Sequence, residues 1–220
     1  TSITIIEGLR ASEIDCYLKE KGLVKEDEFI NAANNKYDNY EFLNKLPEGA
    51  TLEGFLFPDT YRIFKDAGVE DIVKKMLANF DEKLTGEMRE EIKRQGRSIY
   101  EVIAMSSLIE KEVRDAEDMK IVSGIFWDRI KIGQALQSDA SLSYFLNDKI
   151  AAHNSKDLET DTPYNTYKYR GLPPTPICNP GLNAIKAAIY PKYTDYNYFL
   201  NRPDTGETIF SVSYSEHLKN

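Results

Sequence analysis

An α+β fold is expected here on three observations. Residues 69–132 carry apolar side chains at the 3.6-residue period of helices. Short apolar runs at 1–6 and 54–61 read as strands, and the stretches at 196–200 and 208–212 flank Arg202-Pro203-Asp204-Thr205-Gly206 as a hairpin. With 220 residues, 41% of them hydrophobic and 29% charged, the chain is folded and has ample sequence to bury a core. The expected organisation is a small N-terminal lobe over 1–50 and a larger domain over 51–220.

The elements follow in order. After the strand at 1–6, Gly8 turns the chain into a helix over 11–21, with Ile14 and Leu18 at i and i+4 and Gly22 as its stop. A second short helix is expected over 25–34, then a turn-rich segment over 34–39, with Asn39 capping a brief helix through Leu46. Pro58 breaks the 54–61 strand, because it removes a ladder donor and so belongs at an edge or an end. Helices over 69–84, 87–94, 98–113 and 115–132 are punctuated by Gly86, Gly96 and, after the last, Gly133. Residues 172–181 hold four prolines, too many for a helix or a central strand, and form a stiff loop. A helix over 182–189 and the hairpin complete the chain, which has no internal repeats.

Net charge is −8, with Lys and Arg scattered among acids, so a nucleic-acid partner is not expected. That balance fits a neutral substrate or one carrying cations. Two cysteines far apart in sequence and only two histidines give no zinc spacing, and two unpaired thiols are the plain reading. Neither a metal nor another cofactor is expected. No run approaches the length of a membrane span, and the abrupt start on a strand reads as a fragment whose upstream targeting segment lies outside this sequence.

Ser98 and Glu101 have capping-box spacing, which fixes the start of the 98–113 helix. On its wheel Val102, Ser106, Ile109 and Val113 form the inward stripe. Glu110 lies beside that stripe near Ile99 and Ile103, and it leans over Ser106 and Ser107, two small residues that leave room for a ligand. A carboxyl in such half-apolar surroundings is expected to have a raised pKa, as a proton donor near neutrality needs. A solvated or ion-paired helix-edge glutamate fits the same pattern, and Glu112 on the opposite flank is a rival. Gln137, Ser138 and Asp139 after a glycine-ended helix can present donors and acceptors to sugar hydroxyls, or be a polar loop. Tyr164-Asn165-Thr166-Tyr167 alternates aromatic faces with hydrogen-bonding groups, which suits a pyranose ring or a strand with two core tyrosines. No nucleophile elbow or phosphate-cradling glycine loop is present.

Five blocks in order, 52–61, 104–112, 136–139, 164–167 and 171–181, resemble the YceG-like family, the endolytic murein transglycosylases. The resemblance runs from about Ile3 to the C-terminus; Ser138 and Ala140 stand where Thr and Pro would be expected. It implies a lysozyme-like helical core and an enzyme anchored in the bacterial cytoplasmic membrane on its extracytoplasmic face, with a transmembrane helix and a LysM-like module ahead of this region. It implies a substrate, the glycan strands of peptidoglycan, with wall-synthesis proteins as further partners. The reaction implied is cleavage of the β-1,4 bond between N-acetylmuramic acid and N-acetylglucosamine without water, leaving 1,6-anhydro ends, with Glu110 as the one acid/base. Gln137, Ser138, Asp139, Tyr164, Asn165, Tyr167 and Asn179 would then line the glycan groove, with Pro173 and Pro174 as one wall. Two alternatives stand beside this: a scaffold that docks on glycan without cutting, and a hydrolase using Asp139 or Glu112 as a second carboxylate.

Overall fold

A computed structural model describes residues 2–37, 39–64, 67–148, 153–202 and 204–220. The fold is α+β, with helices dominating two small antiparallel sheets. The chain divides into two compact units, Thr1–Ser107 with Thr175–Leu182, and Leu108–Pro174 with Asn183–Asn220.

In the first unit, β1 (Ser2–Thr4) pairs antiparallel with β2 (Thr60–Arg62), placing Ile3 opposite Tyr61. Thr1, Asp38 and Pro203, which fall in the expected first strand, the 34–39 turn and the hairpin turn, lie outside the described residues. Helix α1 (Ala11–Glu20) buries Ile14 and Leu18 as its period requires. Its Asp15 is also buried, and the carboxylate accepts the backbone N–H groups of Asp27, Phe29 and Ile30. Those amides open α2 (Glu28–Ala33), so a side chain from the neighbouring helix satisfies orphan donors that no local residue caps. Helices α3 (Val69–Lys83) and α4 (Gly86–Arg94) follow, and Phe42, Phe55 and Phe80 form an aromatic core with ring centroids 4.7–5.8 Å apart.

The expected strand over 54–61 is present only at its end, in β2. Residues 54–56 turn instead, because Gly54 takes φ +92° and a Cβ there would sit 2.6 Å from Pro176 and 2.7 Å from Ile103. The amides of Gly54 and Leu56 both donate to the Asn179 side-chain oxygen, at 2.9 and 3.0 Å. A buried apolar run needs partners for its backbone, and a single asparagine 125 residues away does here what a sheet ladder would have done.

Helix α5 (Ile99–Glu112) begins with the predicted capping box: Glu101 N–H donates to Ser98 Oγ, and Ser98 N–H to the Glu101 carboxylate. The boundary between units falls within this helix. In the second unit, α6 (Ala116–Lys131) buries Met119, Val122, Ile125, Phe126 and Trp127. Gly124 lies so close to the Lys192 carbonyl that a Cβ would stand 2.3 Å from it, and Trp127 Nε1 donates to the Ala188 carbonyl of α8 (Leu182–Ile189). Between them the structure adds α7 (Asp139–Leu146), where a polar loop was an open reading. Strands β3 (Tyr198–Asn201) and β4 (Thr208–Ser211) form the expected hairpin, followed by a short α9 (Tyr214–His217) that the sequence did not suggest.

Candidate active site

Helix α5 ends on the two glutamates in question. Glu110, in its last turn, is half-buried, and Lys111 beside it is exposed. Ser106 and Ser107, expected to leave room for a ligand, are fully buried; their hydroxyls donate to the carbonyls of Val102 and Ala104. Side chains two residues apart on a helix do not share a face, so Glu112 presents a different environment. Its residue surface is half-buried but its carboxyl is enclosed, and Oε1 accepts from Ser138 Oγ at 2.5 Å. Burial pushes the Glu112 pKa up to about 7; Ser138 opposes the rise, the Asp139 charge adds to it, and Arg129 opposes it.

The second unit brings the sequence-predicted polar residues together. Asp139 accepts from the Tyr167 hydroxyl at 3.1 Å through one oxygen and from the His153 backbone N–H at 3.2 Å through the other. Burial first, and then Asp139, raises the Tyr167 pKa, so the phenol stays a donor. Gln137 N–H donates to the Thr166 carbonyl, and Thr166 Oγ1 accepts the Ser138 N–H at 2.9 Å. Gln137 is exposed and held at φ +56°, a left-handed conformation that a residue with a side chain keeps only when its surroundings dictate it. Tyr164 is half-buried, tilted against Tyr144 at 5.4 Å and stacked with the exposed Phe145 at 6.0 Å.

Other predicted residues are engaged elsewhere. Asn165 is fully buried, donating to the Leu158 and Thr160 carbonyls and accepting from Tyr167 N–H, so it shapes its own loop. Pro173 is buried and Pro174 exposed. Asn179 belongs to the first unit, is fully buried, and spends its side chain on Gly54, Leu56, Leu9 and Glu53.

Sequence reasoning missed Arg129. Arg129 is buried and donates to the Leu136 carbonyl at 2.5 Å and the Asn197 carbonyl at 2.6 Å. It follows Val122 and Phe126 on the buried stripe of α6, so an arginine at an inward helical position was the available signal. Cys16 is exposed and Cys178 buried, with its Sγ donating to the Ser107 carbonyl. Among the described residues no cluster of His, Cys, Asp and Glu could hold a metal ion, and no helix is long and apolar enough to cross a membrane.

Two buried carboxyls set a pH dependence of stability. Burial raises Glu53 to about 7 against the opposing hydrogen bond from Ala11 N–H, and Glu112 is raised to about 7 as well. A carboxyl raised in the folded state favours folding while it stays protonated, so its contribution is complete below about pH 4.5 and lost as pH rises through 7. Each is worth on the order of 3 kcal/mol over that interval. Asp59 and Asp161, whose pKa values are lowered, act in the opposite sense but in more acidic solution. The thermal midpoint should therefore fall from pH 5 to pH 8, and Glu112→Gln should flatten that fall; calorimetry across this range checks it.

The chain belongs to the YceG-like family, whose model matches residues 1–220. Within that family it is 33% identical over 99% of its length to a Bacillus subtilis protein named endolytic murein transglycosylase, and 33% identical over 90% to one of that name from Streptococcus pneumoniae. It spans 63% and 37% of those relatives. A crystal structure of a yceG-like protein from Listeria monocytogenes superposes with a TM-score of 0.86 at 32% identity, covering 99% of this chain and 75% of that one.

Proposed function

We propose that this chain is the catalytic part of an endolytic peptidoglycan lytic transglycosylase, with Glu110 as its acid/base. The observation that carries the reading is the 33% identity over nearly the whole chain to a protein named for that activity. Glu110 supports it because it stands half-buried in the last turn of α5, within the 104–112 block that carries the family resemblance. A general acid must come within hydrogen-bond reach of the oxygen it protonates.

In this reading Glu110 donates a proton to the glycosidic oxygen as the bond from C1 of N-acetylmuramic acid breaks. The substrate's acetamido group stabilises the developing cation. Glu110 then takes the proton of the C6 hydroxyl, whose oxygen closes onto C1, so the carboxyl returns to its starting state and no water is consumed. Gln137, Asp139, Tyr164 and Tyr167 lie along the glycan, and α5 with α6 makes the lysozyme-like core. The whole protein works on the outer face of the cytoplasmic membrane beside wall-synthesis proteins. A hydrolase is the second reading, favoured by the electrostatic coupling of Asp139 to Glu112, which gives the site two more carboxyls.

Digestion of purified peptidoglycan separates the readings by mass. Muramic ends lighter by one water than a hydrolase leaves are expected. Recovery of reducing ends alone would promote the hydrolase, and glycan binding without any cleavage would favour a scaffold.

A further inference from the structure

We infer that Glu112 is a positioning residue for the proposed cleavage, holding the strap of residues 136–139 against the turn of α5 that carries Glu110. The inference rests on the reading of Glu110 given above, but its structural half stands apart from it. Glu112 is the last residue of α5 and is held at both ends. Its carbonyl, one of the orphan acceptors of a helix C-terminus, receives Asn201 Nδ2 at 2.6 Å, and its carboxyl receives Ser138 Oγ at 2.5 Å.

Ser138 is fixed on its other sides as well. Its N–H donates to Thr166 Oγ1 at 2.9 Å, and its carbonyl accepts from Ser141 Oγ at 3.0 Å and from Thr166 Oγ1 at 3.2 Å. Arg129 holds Leu136, Thr166 holds the Gln137 amide, and Tyr167 with His153 holds Asp139. Of these ties, the one from Glu112 runs to the helix that bears the proposed acid/base. The strap's exposed residue, Gln137, sits in the strained left-handed conformation, which is where a backbone is over-determined in order to aim a side chain.

Stability alone does not explain this carboxyl. Enclosing an ionisable group is unfavourable, and a neutral amide of the same shape would fill the space without that penalty. The groups facing Glu112 are Asp139 from α7, Arg129 from α6 and Tyr167 from the loop before the proline-rich segment; one anion, one cation and one phenol leave no net charge that requires an acid here. What the side chain supplies is an acceptor for Ser138 Oγ, the bond that sets the distance from strap to helix.

Glu112→Ala, Ser138→Ala, their double variant and Glu112→Gln test this in two arms. The first arm needs no catalysis. Amide hydrogen exchange at Gln137 and Ser138 should speed up by at least about tenfold in Glu112→Ala, the equivalent of one lost hydrogen bond, while Trp127 in α6 exchanges as before. The double variant should exchange no faster than either single one, because both remove the same contact. In the second arm, anhydro-product release should lose about tenfold in kcat for Glu112→Ala with a smaller change in KM, and Glu112→Gln should recover to within about threefold, since its amide oxygen still accepts from Ser138. Wild-type exchange in Glu112→Ala overturns the inference whatever reaction the protein performs. A well-folded Glu112→Gln with no turnover overturns it too, by making Glu112 the acid/base. Failure to form anhydro ends at all removes the reading of Glu110 and leaves the exchange arm to decide whether Glu112 holds the strap.

Discussion

Glu110→Gln loses at least about a hundredfold in cleavage rate, the usual share of a general acid/base, while glycan binding and the melting temperature stay close to wild type. The substitution keeps the size and hydrogen-bonding shape of the side chain and removes only the transferable proton. Because Glu110 is half-buried at a helix end, the neutral amide adds no unmet polar group to the core. The loss should fall on kcat, since the proton moves in the transition state and not on binding. Release of anhydro ends, followed at saturating glycan beside thermal unfolding, measures both sides. An active, well-folded Glu110→Gln would take the acid/base role away from this residue.

Asn179→Ala should cost more stability than Glu110→Gln, Glu112→Ala or Ser138→Ala. The asparagine accepts from two amides, at Gly54 and Leu56, and donates to the Leu9 carbonyl and the Glu53 carboxyl, all within a fully buried site. Truncation strands these partners away from water, at about 1–3 kcal/mol for each group left unsatisfied. A total of at least about 3 kcal/mol corresponds to a fall in melting temperature of roughly 10 °C for a chain of this size. Asn179→Asp is worse above pH 7 than below it, because it sets a second carboxyl against Glu53 and loses the donors that Leu9 and Glu53 need. An Asn179→Ala protein that melts like the wild type would mean that residues 54–56 find other partners.

The sequence made the helices legible because their cores recur at 3.6 residues. The expected 69–84 is found as Val69–Lys83, 115–132 as Ala116–Lys131, and 182–189 as Leu182–Ile189. Local chemistry was legible too, as in the capping box at Ser98 and Glu101. What escaped reading was non-local. Residues 54–57 are apolar enough for a strand, and the groups that make residues 54–56 turn, Pro176 and Ile103 against Gly54 and the Asn179 side chain on its amides, lie far along the chain. Helix α7 escaped because its N-cap Ser138 and first residue Asp139 are polar and spend their side chains on Glu112, Tyr167 and His153 instead of on their own helix. Glu110 and Glu112 both fell beside the apolar stripe on the helical wheel, and nothing in the period of α5 tells which carboxyl a serine from another segment will enclose.

The thiol of Cys178 stands next to Asn179, fully buried, with its sulfur 3.4 Å from the Ser107 carbonyl, while Cys16 lies exposed on α1. The chain therefore carries two thiols with opposite accessibility in the same unit. A maleimide reacts with Cys16 at once, and with Cys178 only when the loop anchored by Asn179 comes away from Gly54 and Leu9. The slower of the two labelling rates is thus a clock for the opening of that loop, read from a cysteine the chain already carries.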